Sequence, residues 1–577
     1  MLLLGTAGLY LFRLGWVGLY DLDESVYAEI SREMLALGNW ITPHLDFIPY
    51  LEKPPLLYWL NALAFKAFGL SAFTARLATA VAAIAGVGFT YGIGRDIWNR
   101  RTGIAAGAML ATSFGYFVFG RMAMPDMLFA SLVTAGFWGF GRALFEETPS
   151  RAAAFGGYAG MAGAVLAKGL IGLFPAVVVG AFVALTWDWR LVRRLKLVPG
   201  ILLFLLIAAP WHILIERRYP GFLWFYFVNE HVLRALGKQR LINYATLPIG
   251  TYLGITLVWF CPWTLFLPMA VRRCWPRVRS GDRAERASLF VLLWAVIVIG
   301  FFVVSAARLE YYALPALPAL ALLVGRLWDG EMEPERIGRR SAGLTATWIA
   351  LIAFAAALIP AAFLFPKLQH ETFYNLFPKA APRVEPVPTR ALATARIYEV
   401  PGFGPLVPLL EFVVALILAG AAASAWAWFR RRPRLALACL VGAMALGLTA
   451  VERGFKLFQP QESVADLARV VRSEYRPGDQ ILVEGKYELH SGLGFYTRRR
   501  VRVYEGRAGI LLFGSHYADP KGTFVSREQF ARIWRGSARA YLLSDNPDRF
   551  SRLKALDPGT IVLGRTGPVW LFANRRR

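Results

Sequence analysis

Long apolar runs dominate this chain from its first residues to about residue 451. A helix needs about 20 apolar residues to cross a membrane, because it rises 1.5 Å per residue and the hydrocarbon layer is roughly 30 Å thick. By this criterion thirteen runs predict transmembrane helices, although only Lys168-Gly169 separates the fifth run from the sixth. They lie near 2–19, 74–94, 103–120, 127–145, 153–168, 170–187, 196–215, 246–270, 287–305, 312–328, 343–364, 406–428 and 436–451.

The pattern changes after the last run, where charged residues become frequent and short β-type runs alternate with helical ones. The sequence therefore predicts a transmembrane domain over 1–451 and a soluble α/β domain over 452–577. In the second domain we expect strands at Gln480–Val483, Ala540–Leu543, Thr560–Leu563 and Val569–Phe572, and helices near 462–474 and 527–535.

Composition agrees with a polytopic α-helical membrane protein that has some water-exposed mass. Of the 577 residues, 56% are hydrophobic and 18% are charged, whereas soluble domains are roughly a quarter charged. This excludes a disordered chain, a coiled coil and an ordinary soluble enzyme. Cys261, Cys274 and Cys439 have no metal-ligand spacing and predict no disulfide framework. The first run has no basic segment before it, so we interpret it as a retained span and not a signal peptide.

The net charge of +26 is distributed as a membrane topology signal. Lys and Arg collect in the connections after even-numbered runs, as in Arg95, Arg100 and Arg101. The positive-inside rule places these connections in the cytoplasm, so we expect no nucleic-acid partner. The connections predicted to face outward are 20–73, 119–126, 216–245, 306–311 and the Pro-rich 365–405, and the C-terminal domain lies on the same side.

The first outward loop, 20–73, predicts two juxtamembrane helices. Apolar residues recur every three to four positions from Ser25 to Leu37, and Gly38 suits the end of a helix. A short amphipathic helix between two spans is expected to lie in the interface plane. The second helix starts at Pro54-Pro55, because proline fits a first helical turn.

Four ionisable residues precede these two helices: Asp23 and Glu24 before the first, Glu52 and Lys53 before the second. One interpretation is purely structural, with Asp23 capping a helix and Lys53 extending to lipid headgroups. The other is a functional site at the outer membrane surface.

The motifs of this loop favour the functional interpretation. D-E-x-x-Y-A-E-I-x-R-E-M, G-x-W-x-T-P-x-L and Y-x-E-K-P-P-L-x-Y-W resemble the first periplasmic loop of the bacterial aminoarabinose transferases, a family related to the protein O-mannosyltransferases. The resemblance is dense over 21–60, sparser across the later spans and weak in the C-terminal domain. It implies a C-type glycosyltransferase fold and transfer of a sugar from a polyprenyl phosphate on the outer side of the membrane.

The resemblance also implies roles for individual residues. Catalytic roles are implied for Asp23 and Asp126, with Glu24 beside the first. The donor-phosphate ligands would be Lys53, Arg234, Tyr312 and Arg308, and further candidates are Glu52, Tyr27 and Lys168. Structural alternatives remain for three of them: Asp126 as a helix cap, Lys168 as an interfacial anchor and Glu230 as a simple partner of Arg234.

The chemistry of these residue types fits such a transfer. Cleavage of the anomeric bond builds negative charge on the donor phosphate, and preorganised cations stabilise that charge. Arginine grips phosphate bidentately, whereas lysine acts as a point charge. Asp23, or secondly Asp126, would be the base for a hydroxyl acceptor. A phosphate acceptor would need no base, and the carboxylates would orient it or hold a cation. Direct attack would invert the anomeric centre.

Substrate identity and metal binding stay open at this point. Val26 and Glu310-Tyr311 stand where aminoarabinose transferases favour Arg and Pro-Thr. Lipid A leads as acceptor, and another envelope glycan, lipid or protein is the alternative. A flippase is disfavoured because the polar residues cluster at one face. Glu52 and His231 are a possible divalent-cation pair, although a structural histidine is favoured, and no cofactor is required. We expect a monomer in the bacterial inner membrane, surrounded by lipid, with a periplasmic active site.

Overall fold

In the computed structural model of this chain, the described residues are 1–148, 150–239, 246–333, 342–364, 392, 395–399, 404–517, 522–546 and 548–575. Most of the predicted loop 365–405 lies outside them. The helices are α1 Leu2–Leu11, α2 Glu24–Leu37, α3 Leu56–Phe68, α4 Ala72–Ile97, α5 Arg100–Ala111, α6 Phe114–Phe119, α7 Pro125–Phe145, α8 Arg151–Lys168, α9 Phe174–Thr186, α10 Arg190–Arg194, α11 Leu197–Arg218, α12 Ile249–Trp259, α13 Leu267–Arg273, α14 Arg283–Val304, α15 Leu317–Glu331, α16 Ala342–Leu364, α17 Val407–Phe429, α18 Pro433–Glu462, α19 Ala465–Glu474, α20 Gly492–Thr497, α21 Arg527–Arg535 and α22 Arg549–Leu556.

The helices up to α18 form a membrane-embedded fold. Within the described residues, six helices are long and apolar enough to cross a membrane, or up to seven if the bent pair α12 and Trp263–Arg273 is one span. Every predicted run contains helix, but not every run is a continuous helix, and the run at 2–19 is helical only to Leu11. The run at 103–120 breaks between α5 and α6, and the run at 246–270 bends by 101°. The total of thirteen spans stays a prediction.

The two breaks have local chemical causes. Between α5 and α6, the hydroxyls of Thr112 and Ser113 donate to the carbonyls of Ala108 and Met109, so side chains compete with the backbone ladder. In the bent pair, Pro262 lacks the N–H that would continue the helix.

Helices α7 and α8 pack with their backbones almost in contact, and this packing positions part of the site. A Cβ atom added to Gly139 would lie 2.2 Å from the nitrogen of Gly157, and one added to Gly160 would lie 2.6 Å from the nitrogen of Gly136. Small residues allow this close approach between membrane helices. Because the two helices are consecutive and antiparallel, the start of α7 meets the end of α8.

The C-terminal residues form a seven-stranded mixed sheet with helices on it. After the short antiparallel pair β1 His44–Leu45 and β2 Ile48–Pro49 of the first loop, the strands are β3 Arg396–Tyr398, β4 Gln480–Glu484, β5 Arg502–Tyr504, β6 Phe524–Val525, β7 Ala540–Ser544, β8 Ile561–Thr566 and β9 Val569–Ala573. The sheet order is β3-β8-β9-β7-β4-β5-β6, with β9 antiparallel to both of its neighbours and the other pairs parallel. The four strands and two helices expected here are confirmed, whereas β3, β5, β6 and α22 were not predicted.

The first loop packs against this sheet. Val26, Ile30 and Met34 of α2 share one buried cluster with Leu467 and Ile481 of the C-terminal region. That α2 lies in the interface plane stays a prediction, but the helix does not present a free polar face to solvent. Its polar residues are buried instead, where the Arg32 guanidinium donates to both oxygens of Glu29 at 2.7 Å. The predicted helix itself is confirmed, and Gly38 ends it in the left-handed region at φ 62°.

Candidate active site

Asp126 and Lys168 form a buried ion pair where α7 and α8 meet. Pro125 and Asp126 begin α7, and Lys168 is the last residue of α8. The Lys168 ammonium contacts Asp126 Oδ1, and it also lies 5.0 Å and 4.7 Å from the ring centroids of Tyr311 and Tyr312. Lys168 is therefore buried at the site and is not an interfacial anchor. Through Lys168, the predicted catalytic carboxylate of Asp126 is linked to Tyr311 and Tyr312 in the loop before α15.

Asp23 directly precedes α2, but its side chain makes no capping hydrogen bond. The interpretation of Asp23 as a helix cap is therefore wrong. Burial and the negative charges of Asp126 and Glu310 together raise the pKa of Asp23 from 3.8 to about 7, against the opposing charge of Lys168. A carboxyl group with this pKa can hold or release a proton near neutral pH. Asp23 thus lies in one electrostatic neighbourhood with Asp126 and Lys168.

Glu24 has a structural environment that differs from that of Asp23. Its carboxylate accepts two hydrogen bonds of 2.6 Å from the Arg76 guanidinium of α4. It also accepts the backbone N–H of Ala123 at 2.8 Å and that of Tyr20 at 3.0 Å. With four donors on two oxygens, Glu24 is saturated. A direct catalytic role for Glu24 is therefore not supported, and the residue instead ties the first loop to α4 and to the segment before α7.

Arg234 lies at the end of a π-helix, Trp224–Leu233, which the sequence pattern did not predict. Its guanidinium donates to the Tyr312 hydroxyl at 3.1 Å and pairs with Glu230 at 3.4 Å. Gln239 donates to the other oxygen of Glu230 at 2.6 Å. π-Helical turns are frequent at functional sites. Here the turn brings Arg234 within hydrogen-bond distance of Tyr312. The expected pairing of Glu230 with Arg234 is also confirmed.

Lys53 lies half-buried beside Arg234. Burial and the positive charge of Arg234 lower the pKa of Lys53, while Glu230 and Glu52 oppose the shift. Glu52 is buried and accepts from the Tyr50 hydroxyl at 3.5 Å. Two like charges in a buried setting repel each other, so the pair is stabilised by an anion placed between them. An anionic group such as a phosphate fits this requirement.

His231 does not have a free metal-binding nitrogen. Its Nδ1 lies 2.7 Å from the carbonyl of Tyr226, and its Nε2 accepts the backbone N–H of Leu170 at 3.2 Å. Burial lowers the pKa of His231 to about 4, so the ring is neutral at pH 7. No group of three or more His, Cys, Asp or Glu side chains suited to a metal occurs among the described residues. The Glu52–His231 cation site is therefore not supported.

Arg308 departs from its expected place, whereas Tyr27 lies near Asp23 and Asp126. The Arg308 guanidinium donates to the backbone carbonyls of Leu247 and Ser305, so it fastens the chain segments on either side. It does not line the cavity described below. Tyr27 stacks on Tyr58 with ring centroids 6.2 Å apart. A phosphate-binding role for Arg308 is therefore not supported.

A cavity of about 490 Å³ unites the cations with an apolar groove. Its polar end holds the side chains of Lys53, Lys168, Arg234 and Tyr312 together with Glu230 and His231. Its apolar end runs between α9 and α14 and reaches Val177 and Phe301, which are 53% and 41% exposed. The apolar lining consists of Leu170, Ile171, Leu173, Phe174, Val177, Val232, Ala235, Leu236, Ile297, Phe301, Phe302 and Ala307.

Comparisons with known proteins agree with this arrangement. A family profile described as dolichyl-phosphate-mannose-protein mannosyltransferase matches residues 8–226. An undecaprenyl phosphate-alpha-4-amino-4-deoxy-L-arabinose arabinosyl transferase of Enterobacter sp. is 28% identical over 92% of this chain and 90% of its own length. The crystal structure of ArnT from Cupriavidus metallidurans, bound to undecaprenyl phosphate, superposes with a TM-score of 0.81 at 25% identity and covers 99% of this chain and 97% of that one. This chain is thus similar to the aminoarabinose transferases along most of its length.

The relationship confirms the resemblance stated from the first loop and the C-type glycosyltransferase fold. A Pseudomonas savastanoi protein with the same enzyme name is 32% identical, but this match covers 55% of the chain and 58% of the relative. In Pseudomonas fluorescens a further such enzyme is 31% identical, with 62% of each covered. The chain thus spans about three fifths of the length of these two relatives in the matched regions.

Two acidic groups of this site were not predicted as functional. Glu310 was noted only as a departure from the aminoarabinose transferase pattern, yet its charge helps to raise the pKa of Asp23. Glu230 was noted only as a partner of Arg234, yet it lines the cavity and opposes the charge of Lys53. A charged residue at a variable position within the R-L-x-x-Y motif was the one sequence signal available for Glu310.

Proposed function

We propose that this chain is an integral-membrane glycosyltransferase that moves a sugar from undecaprenyl phosphate to an envelope acceptor, with aminoarabinose and lipid A as the leading pair. The observation that carries the proposal is the cavity in which Lys53, Arg234 and Tyr312 meet an apolar groove. A polyprenyl phosphate has the same two parts, an anionic head and a long apolar tail. The solved relative bound to undecaprenyl phosphate supports the choice of donor.

The cations would act on the leaving group. As the anomeric bond breaks, its electron pair stays on the phosphate oxygen, and the charge of the phosphate increases. Lys53 supplies a point charge, and Arg234 supplies N–H donors whose direction is fixed by Tyr312 and Glu230. Removal of one such preorganised donor costs about 3 kcal/mol of transition-state stabilisation.

The carboxylates would act on the acceptor. Asp23, with its pKa near 7, would take the proton of a hydroxyl acceptor as that oxygen attacks the anomeric carbon from the face opposite the phosphate. For a phosphate acceptor, which is already ionised, Asp23 and the Asp126–Lys168 pair would orient the attacking group. Either route is a single displacement with inversion.

A reconstitution experiment tests the proposal. The purified chain in lipid nanodiscs, supplied with undecaprenyl phosphate-aminoarabinose and lipid A, should yield lipid A that is heavier by one aminoarabinose residue in mass spectra. Asp23→Asn and Lys53→Met should lower the rate about 100-fold or more, while the proteins keep their elution volume. A wild-type chain that leaves this donor intact with every envelope acceptor offered would contradict the proposal.

The same proposal places the enzyme in the bacterial inner membrane. The distribution of Lys and Arg supports a periplasmic site, because the long first loop that carries Asp23 and Lys53 has only three Lys and Arg over residues 20–73. The C-terminal domain packs on the first loop and lies on the same side. We further propose that the chain acts as a monomer.

A second candidate differs in sugar and acceptor and keeps the donor lipid. The match of residues 8–226 to the mannosyltransferase profile supports it, as do Val26 and Glu310-Tyr311 at positions where aminoarabinose transferases differ. In this case the acceptor would be a protein, glycan or other lipid of the envelope. Mass spectra of lipid A and other glycoconjugates from a deletion strain and its parent distinguish the two, because the missing sugar identifies the acceptor.

A further inference from the structure

One segment of the C-terminal domain, Gly509 to Tyr517, contacts the two outward loops that carry part of the site, in addition to its own sheet core. We name residues 509–517 the docking segment. It consists of two short turns, Gly509–Leu511 and Gly514–His516, between β5 and β6. Its own domain holds it firmly, because Leu511 is fully buried and Arg507 donates to both the hydroxyl and the carbonyl of Ser515 at 3.2 Å.

The docking segment contacts the first turn of the π-helix and the residues just before it. The ring of Phe513 stacks on that of Phe225, with centroids 3.7 Å apart and planes inclined by 11°. Tyr517 packs edge-on against Tyr219 at 5.3 Å, and its hydroxyl donates to the carbonyl of Pro220 at 2.7 Å. Phe225 belongs to the π-helix that ends at Arg234. The position of that helix is therefore fixed partly from the C-terminal domain.

The docking segment also touches the first loop. A Cβ atom added to Gly514 would lie 1.8 Å from the carbonyl oxygen of Pro49 and 3.1 Å from the Ile48 side chain, so the two backbones are in direct contact. Pro49 ends β2, four residues before Lys53. The same nine-residue segment thus contacts the chain segments that carry two of the three cations of the cavity, Lys53 and Arg234.

We infer that the docking segment is a positioning element for the donor phosphate, in which Phe513 and Tyr517 hold Lys53 and Arg234 close together in the absence of donor. This inference rests on the proposed function, because it assigns the segment a part in binding the phosphate. Its physical basis is that two partly buried positive charges repel each other, so their separation must be fixed by packing elsewhere. It also gives the C-terminal domain a role in the reaction without direct contact with the substrate.

Binding of undecaprenyl phosphate to the full-length chain in nanodiscs tests the inference. Phe513→Ala should raise the Kd for undecaprenyl phosphate about 10-fold, because a stacked ring that sets the position of Arg234 is lost. Phe513→Tyr keeps the stack and should bind as the wild type does. Tyr517→Phe removes only one hydroxyl and should raise the Kd about 3-fold. Tyr475→Ala, which removes a ring that contacts Arg499 in the same domain, should have no effect on the Kd.

A double-mutant cycle separates positioning from general destabilisation. In an Arg234→Met background, Phe513→Ala should change the Kd by less than about 2-fold, because the side chain that it positions is already absent. A loss that persists in this background would overturn the inference, as would wild-type binding by Phe513→Ala and Tyr517→Phe proteins of normal elution volume. Failure of the wild-type chain itself to bind undecaprenyl phosphate would instead contradict the proposed function.

Discussion

At the scale of single residues, acidic and basic groups of the same type have very different environments. Asp23 and Glu24 are adjacent, yet Asp23 shares a buried region with Asp126 and Glu310, whereas Glu24 is neutralised by Arg76. The motif predicted that both lie at the site, but it carries no information on which one is paired. Pairing depends on α4, which is distant in sequence. The same reason explains why Arg308, which fastens backbone carbonyls, resembled a phosphate ligand.

The pKa of Asp23 predicts a pH-dependent rate of transfer. If ionised Asp23 is required, the rate of transfer should reach half of its maximum at a midpoint near pH 7. Below that pH the rate should fall about 10-fold per pH unit. Glu310→Gln removes a negative charge and should move this midpoint to lower pH. The pH–rate profile of the reconstituted enzyme measures both midpoints. Glu528→Gln, at an exposed carboxylate of α21, is the matched control, and an unchanged midpoint in Glu310→Gln would contradict the assignment.

The sign of the stability effect follows from the same pKa. The pKa of Asp23 is higher in the folded chain, at about 7, than its ordinary 3.8. Between these values the folded state holds more protons than the unfolded state, so the free energy of unfolding should decrease as pH rises through this window. Asp23→Asn should remove that part of the decrease, which thermal unfolding at pH 5 and pH 8 measures. An equal pH dependence in the Asn variant would contradict the prediction.

At the scale of elements, one buried ion pair joins three parts of the chain. Glu24 and Arg76 connect the first loop to α4, and the bond from Ala123 connects Glu24 to the segment that leads to Asp126. The helices themselves could be predicted from apolar runs. Their mutual placement could not, because glycine contacts such as those of Gly139 with Gly157 have no periodic signature.

Removal of Arg76 should destabilise the fold and the site together. Arg76→Met leaves a buried unpaired carboxylate, which costs about 3–5 kcal/mol, whereas Arg76→Lys keeps the charge and should cost less. Unfolding temperature and transfer rate measure the two effects. The exposed pair Arg95–Asp96 has the same 2.6 Å separation, so Arg95→Met is the matched control with an expected cost of about 0–1 kcal/mol. Equal unfolding temperatures for Arg76→Met and Arg95→Met would contradict the prediction.

At the scale of the whole molecule, the cavity depends on residues from many parts of the chain. Its lining comes from the first loop, α8, α9, the π-helix, α14 and the segment before α15. Composition predicted a membrane protein, and the motifs predicted the charged residues at the polar end of the cavity. An apolar groove for the lipid tail was expected, but its residues could not be identified, because a groove-lining residue and a lipid-facing residue of α14 are equally apolar in the sequence.

The groove between α9 and α14 should be specific for a long lipid tail. Ile297→Trp narrows it and should weaken binding of undecaprenyl phosphate about 10-fold, with little effect on a short-chain polyprenyl phosphate. Val296, the preceding residue, is 58% exposed and does not line the cavity, so Val296→Trp is the matched control. Displacement of a fluorescent lipid measures both affinities. Equal weakening for both chain lengths in Ile297→Trp would contradict a tail-binding groove.

The edge strand β3 has a practical consequence for dissecting the protein. Arg396–Tyr398 pairs in parallel with Gly564 to Thr566 of β8, although α17 and α18 separate it from the remaining strands in sequence. A fragment that starts at residue 452 would lose this strand and expose the backbone donors and acceptors of β8 to other chains. The C-terminal region is therefore not expected to behave as an excisable module. Soluble versions of it would need 396–398 grafted back by a short linker to stay monomeric.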